Sequence, residues 1–370
     1  MNTKTKLLKY VFTFTSLLFS SAMFIACSNE DDSIDDSIDK SLPDTGVIPY
    51  EINLSIPLTF EAIFNYTEVE FNAANSSIVV QYRKNDGDWE DYTYPILLNK
   101  GDTVSFRGNN ASYAPCDDNV SLNPLPENHS HFSIHEEDND EPISCYIYGN
   151  IMSLITSTDF ESATELTAQN TFDMMFDGCK IMNHPQKLLL LPATTLKKNC
   201  YYQMFFECQE LTKAPALPAM TMEPNCYNSM FAGCSKLAQA PALPATKLAY
   251  NCYSAMFERC DSLSSAPELP ATSLAVNCYT AMFLYCSSLT EAPVLPAQTL
   301  AESCYLCMFE GCSKLSKVTC LATDISANNC TQKWLDGTAT SGKFIKNPEM
   351  ADWTTGVHGI PDGWTVSDAE

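Results

Sequence analysis

The sequence has few basic residues. Of its 370 residues, 21 are lysine or arginine and 45 are aspartate or glutamate, so the formal net charge is -24 at pH 7. This excess of negative charge repels phosphate, and no basic cluster along the chain offsets it locally. The sequence therefore predicts that nucleic acid is not a partner.

Long apolar runs and catalytic motifs are also missing. After the first 27 residues, no segment approaches the roughly 18 uninterrupted apolar residues of a membrane-spanning helix. The chain has no Ser/His/Asp grouping, phosphate-binding loop, HExxH motif or paired-carboxylate motif. We therefore predict a protein that is not an enzyme, with no catalytic residue, no cofactor and no metal.

Residues 1–26 have the pattern of an export signal. Lys4, Lys6 and Lys9 precede an apolar stretch, and a small alanine comes directly before Cys27. The tetrapeptide FIAC that ends at Cys27 resembles the lipobox of bacterial lipoproteins, which implies that Cys27 is lipidated. The alternative is an ordinary cleaved signal with a cysteine there by chance.

The segment that follows, residues 27–45, is an acidic tether. It contains too little apolar material to fold, and its like charges keep it extended. Acidic residues directly behind a lipidated cysteine also resemble a surface-export signal. The expected location is the outer membrane, held by the lipid anchor alone and facing the exterior, with a plain solvated spacer as the alternative.

Residues 46–155 have the alternating pattern of β-strands. Leu58, Phe60 and Ala62 place apolar side chains on one face, and Gly87 lies in a hairpin signal between two such runs. Short strands with turns about every ten residues predict an all-β domain, with an immunoglobulin-like sandwich as the preferred fold.

Two groups in this region have alternative interpretations. His129, His131 and His135 would share one strand face and resemble metal ligands, but a solvated edge strand is the favoured interpretation. Cys116 and Cys145 could form a disulfide in an exported domain, or remain two unpaired thiols.

The strongest signal is a 26-residue repeat. A fixed period of this length predicts a solenoid over residues 156–335, in which each unit buries its faces against its neighbours. An opening copy carries Thr171 where the first cysteine belongs. Two cysteine columns define the period: Cys200, Cys226, Cys252, Cys278, Cys304 and Cys330, and Cys208, Cys234, Cys260, Cys286 and Cys312.

Each repeat has two halves with different patterns. Leu248, Cys252, Met256 and Cys260 are spaced by four residues, which predicts one apolar face of a short helix. The other half is extended and interrupted by proline, which predicts parallel strands of only three or four residues. The expected fold class is therefore α+β and multidomain, with a β domain followed by an α/β solenoid.

These repeats resemble the BspA-like leucine-rich repeat surface proteins. The segment MFAGCSKLAQAPALP, residues 230–244, follows the family's AFxxCxxLxxIxLP frame in a longer 26-residue variant with Cys-Tyr and Met-Phe pairs. Residues 336–370 resemble the family's terminal cap, with Trp353 and Trp364 as candidates to cover the last repeat. The resemblance implies adhesion to host matrix proteins or to other cells.

The repeat cysteines have three possible roles. Two cysteines eight residues apart on one helix lie too far apart for a disulfide, so buried free thiols are favoured over bonds between repeats. Cys304 and Cys307 form a CxxC with Cys312 and Cys320 nearby, but repeat position already accounts for Cys304 and Cys312. Core packing is likewise the favoured role of the tyrosine column.

The binding prediction rests on positions that vary between repeats, because these face solvent more often than constant ones. If they line the extended side, they form a long, shallow, mixed-charge surface suited to host or cell-surface proteins. The candidate residues are Lys213, Gln239, Ser265, Glu291, Lys317 and Glu268.

Two other functions remain open at this point. The chain could be a surface glycan-binding lipoprotein, in which Trp89, Tyr92 and Tyr94 of the β domain would stack on polysaccharide. It could also be a structural protein of the cell envelope with no soluble ligand.

Overall fold

The computed structural model describes residues 52–114, 129–137 and 139–370. It is mostly β-structure with almost no helix, and within the described residues the only helical element is a 3-10 turn, Ile151–Leu154. No described helix has the length and apolar character needed to cross a membrane. The strands are β1 (Leu58–Ala62), β2 (Thr67–Asn72), β3 (Val80–Lys84), β4 (Glu90–Asp91), β5 (Ile96–Leu98), β6 (Thr103–Gly108), β7 (His131–Glu136), β8 (Asn139–Pro142), β9 (Cys145–Asn150), β10 (Ile181–Asn183), β11 (Leu189–Leu190), β12 (Glu291–Leu295), β13 (Lys317–Cys320), β14 (Lys343–Lys346) and β15 (Thr365–Asp368).

The N-terminal part consists of two sheets. One has the order β10-β9-β1-β6-β3-β4, and the other has the order β5-β2-β7-β8. Their inner faces meet through aromatic rings. The ring centroid of Phe132 in β7 lies 4.9 Å from the ring centroids of both Phe60 in β1 and Phe106 in β6. The predicted β-structure is confirmed, whereas the immunoglobulin-like topology stays a prediction.

The first sheet continues into the opening repeat. Strands β10 and β11 both pair with β9 in parallel, although β9 itself pairs antiparallel with β1. One hydrophobic core runs through both parts, and Glu51–Glu370 forms a single compact unit. The β-sheets therefore cover the first repeat and prevent exposure of its apolar edge.

The half of each repeat that was predicted to be a helix is a series of tight turns. Backbone N–H groups alternate between two kinds of partner. The N–H of Tyr202 donates to the Asn199 carbonyl three residues earlier at 3.2 Å, and the N–H of Tyr201 donates to the Cys226 carbonyl of the next repeat at 3.1 Å. Every second N–H thus closes a turn, and the others join neighbouring repeats.

The helix prediction was therefore wrong. Cys252, Met256 and Cys260 are fully buried and Leu248 is half-buried, but their spacing is that of successive four-residue turns. On an α-helix of 3.6 residues per turn, positions four apart drift by about 40° per step, so twelve residues would carry the row off one face. A strict period of four keeps all these side chains directed into the core.

The turns require one residue with positive φ in every four. Asparagine fills the first such position in most repeats, as at Asn199 (φ 56°), Asn225 (φ 54°) and Asn251 (φ 54°). Asparagine tolerates the left-handed region better than other residues with a side chain. The asparagine before most of the first-column cysteines is thereby explained.

Stacked rings run the length of the repeats. Successive rings lie 5.4–6.2 Å apart and nearly parallel, so each repeat buries its aromatics against the same aromatics of the next. Both columns begin in the β-sheets. The first contains Tyr113, Phe172, Tyr201, Tyr227, Tyr253, Tyr279, Tyr305, Trp334 and Trp353, and the second contains Phe132, Phe176, Phe205, Phe231, Phe257, Phe283 and Phe309.

The extended half forms a parallel arrangement, as predicted. At the C-terminal end, β12, β13, β14 and β15 make a four-stranded parallel sheet. Earlier repeats, where prolines recur, contribute isolated parallel bridges such as Lys213 with Gln239 and Thr221 with Lys247. Proline has no N–H to donate, and this limits the length of each ladder.

Tryptophans occupy the C-terminal end of the first ring column. Trp334 is fully buried between Tyr305 and Trp353, and its Nε1–H donates to the Gly359 carbonyl at 2.9 Å. Trp364 donates from Nε1 to the Ala339 carbonyl at 2.8 Å. Residues 336–370 thus cover the last apolar rings of the repeats.

Candidate functional site

The variable positions chosen from the sequence lie on the extended half of the repeats, and two adjacent pairs of them are joined by parallel pairing. Lys213 bridges to Gln239, and Glu291 pairs in register with Lys317, where the two side chains form an ion pair. Gln239, Ser265, Glu268 and Glu291 are exposed, and Lys213 and Lys317 are half-buried. We call the row Lys213, Gln239, Ser265, Glu291 and Lys317 the variable column.

Sequence reasoning missed a further member of this row. Lys317 pairs in register with Lys343 of β14, which lies beyond the predicted end of the repeats and is exposed. Lys343 lies 26 residues after Lys317, so the repeat period was the sequence signal that could have identified it. The row therefore contains two adjacent lysines on a chain that is strongly acidic, and it continues to Thr365 of β15.

An exposed apolar patch was also missed. In two middle repeats, Tyr250 and Val276 are 49% and 39% exposed, and half-buried Leu248 and Leu274 lie two residues before them. The equivalent positions in flanking repeats include charged residues such as Glu302. Apolar surface of this kind, with a polar surround, is typical of contact sites.

The second-column thiols hold neighbouring repeats together. Each Sγ–H donates to a phenylalanine carbonyl of the preceding repeat over 2.9–3.2 Å, as in Cys234 to Phe205 and Cys260 to Phe231. Burial raises the pKa of the thiols in both columns, to about 12 for Cys252 of the first column and for Cys312 of the second. Both thiols therefore remain protonated at neutral pH. Every described cysteine is a free thiol, which confirms the prediction of buried free cysteines.

The CxxC cysteines do not converge on one point. Cys312 donates to the Phe283 carbonyl, Cys320 is buried on β13, and half-buried Cys307 lies at a turn position with φ of 53°. Across the part of the chain that the structure describes, no group of three or more His, Cys, Asp or Glu residues could hold a metal ion.

Of the three histidines near β7, His129 and His131 lie near each other and near Asp177, whereas His135 has a different acidic partner. His129 is buried beside Asp173 of the opening repeat, with 3.3 Å between Nδ1 and Oδ2, and its neighbour His131 is half-exposed. His135 lies 3.0 Å from Glu68 on the adjacent strand β2. Burial raises the pKa of Asp173, which opposes its ionisation, and the nearby His129 partly offsets this.

The predicted stacking aromatics do not form a single platform. The Trp89 ring lies 5.0 Å from the Arg83 guanidinium and 4.3 Å from that of Arg107. Tyr92 is half-buried, and its hydroxyl accepts the Phe71 N–H at 2.8 Å. Tyr94 differs from both, because it is 64% exposed.

Two predicted cysteine sites lie outside the described residues. These are the lipidation site Cys27, together with the export signal and tether, and Cys116. Cys145, the other half of the possible disulfide, is a buried free thiol whose Sγ–H donates to the Glu61 carbonyl at 3.1 Å.

Comparison with protein-family models, with curated proteins and with solved structures found no match to this chain.

Proposed function

We propose that the chain is a non-enzymatic surface lipoprotein whose repeats bind host matrix proteins or proteins of other cells. In this proposal the repeats are a leucine-rich-repeat solenoid of the BspA-like kind, the N-terminal sheets form an immunoglobulin-like domain, and Cys27 carries the lipid. The location is the outer membrane, facing the exterior.

One observation carries the proposal. The positions that stay constant between repeats are buried in the ring and cysteine columns, while the variable column lies on the extended half, where Lys213 pairs with Gln239 and Glu291 pairs with Lys317. A row of neighbouring side chains without a deep cleft suits the broad contact of a macromolecule.

A pair of charge reversals tests the proposal. Lys213→Glu with Lys317→Glu replaces two cations of the variable column with anions. The double variant should weaken binding of a matrix protein about tenfold, because the new carboxylates repel acidic groups of the partner that the lysines attract. The measurement is surface-plasmon resonance of residues 46–370 against purified matrix proteins and polysaccharides at physiological salt.

The matched control changes the net charge equally at other places. Lys100→Glu with Lys333→Glu alters an exposed residue of the β-sheets and one on the turn side. If both double variants weaken matrix-protein binding equally, the cause is the overall charge, and the binding site is not the variable column. Failure of every probe to bind would favour a structural role in the envelope.

A further inference from the structure

A groove opens at one end of the β-sheets, where the chain passes from β4 of one sheet to β5 of the other. It encloses about 340 Å³ and is lined by Tyr82, Lys84, Asp88, Glu90, Tyr94 and Leu97. This volume is at the small end of the range for small-molecule sites. A ligand here would contact both sheets without reaching the repeats.

Two tyrosines give the groove its aromatic surface. Tyr94 is 64% exposed, so its ring is open to a ligand. Tyr82 donates its hydroxyl hydrogen to Glu90 Oε2 at 2.9 Å. Burial, followed by the nearby Glu90, raises the pKa of Tyr82 to about 12, so its hydroxyl stays protonated at neutral pH.

The charges in the groove disfavour anions and, near Lys84, cations. Asp88 and Glu90 are exposed carboxylates and would repel an anion. Lys84 bridges the two sides, because its Nζ donates to the Leu97 carbonyl at 2.9 Å and lies 3.3 Å from Asp102. This ammonium would oppose a second cation at the same place. A neutral ligand rich in hydroxyl groups meets neither repulsion.

We propose that this groove binds a neutral pyranose ring of a saccharide. The C–H face of the sugar packs on Tyr94, and its hydroxyls donate to the carboxylates of Asp88 and Glu90. Trp89 takes no part in stacking, because two guanidiniums already lie against its ring. The site is separate from the variable column, so the two proposals stand or fall independently.

Saturation-transfer NMR tests this site with residues 46–370 and free glucose, galactose, mannose and N-acetylglucosamine at millimolar concentrations. We expect transfer to the ring C–H protons of at least one sugar. Tyr94→Ala should reduce that signal about tenfold without unfolding the protein, since most of this side chain is in solvent. Tyr250→Ala removes another exposed tyrosine, from the repeats, and should leave the signal unchanged.

Three results would overturn the proposal. One is the absence of saturable transfer to any of the four sugars, and another is an equal signal from the wild type and Tyr94→Ala. The third is salt-sensitive binding of lysine methyl ester with no sugar binding, which would show that the groove selects cations. None of these results would alter matrix-protein binding by the variable column.

Discussion

Replacement of Trp334 by alanine will lower the free energy of unfolding by about 4 kcal/mol, because truncation of a buried aromatic removes its burial and leaves a cavity. Trp334 is fully buried, stacks on Tyr305 and Trp353, and donates to the Gly359 carbonyl. Its loss removes one of the contacts that join residues 336–370 to the last repeat. Urea unfolding followed by tryptophan fluorescence gives the magnitude.

Hydrogen exchange locates this effect. In Trp334→Ala, amides of β14 and β15 should lose protection first, since terminal units of a stacked array contact only one neighbour. Tyr250→Ala, which removes an exposed ring from the middle of the repeats, should change stability by less than about 1 kcal/mol. Similar losses in the two variants would show that the tryptophan does not close the stack.

Gly149→Ala will destabilise the junction between the β-sheets and the opening repeat by about 4 kcal/mol. Gly149 has a φ of 92°, and a Cβ there would lie 2.0 Å from the Pro57 carbonyl oxygen. The conformational cost is about 1–2 kcal/mol and the displacement of neighbouring backbone costs about 1–3 kcal/mol. Because Gly149 pairs with Leu189 of β11, strand pairing at the junction should also weaken.

Gly101→Ala is the matched control for this substitution. Gly101 has a similar φ of 86°, but no atom lies within 4 Å of the position its Cβ would take. It should therefore cost only about 1 kcal/mol, which isolates the conformational cost from the clash. Equal losses for the two variants, measured by thermal unfolding, would contradict the close approach at Pro57.

Much of the fold follows from the sequence because the period is visible in it. The cysteine spacing predicts the stacking of repeats, and the prolines predict short parallel strands. The turns were missed because residues at i and i+4 also share a helix face. Two details distinguish the patterns, namely the paired spacing of Cys252-Tyr253 with Met256-Phe257, and the asparagine that precedes most of the Cys-Tyr pairs and tolerates positive φ.

The variable column was partly predictable for the same reason. Variation between repeats locates the variable column, and the 26-residue period extends it to Lys343. The environment of an aromatic in the β-sheets depends on contacts distant in sequence. Arg107, whose guanidinium lies against the Trp89 ring, belongs to β6. Phe71, whose N–H donates to the Tyr92 hydroxyl, belongs to β2. Local sequence therefore does not separate Tyr94 from its two neighbours.

The four-residue turns determine which side chains of each repeat reach solvent, and Gly178 tests them most directly. Its φ is 68°, its N–H donates to Phe206 of the next repeat, and a Cβ would meet no atom within 4 Å. In stacked turns, Gly178→Ala should lower the free energy of unfolding by about 1 kcal/mol, because alanine disfavours positive φ. Urea unfolding of this variant and of the wild type measures whether the free energy of unfolding falls or rises. A rise of about 1 kcal/mol, as expected for a helix interior, would contradict the turn structure.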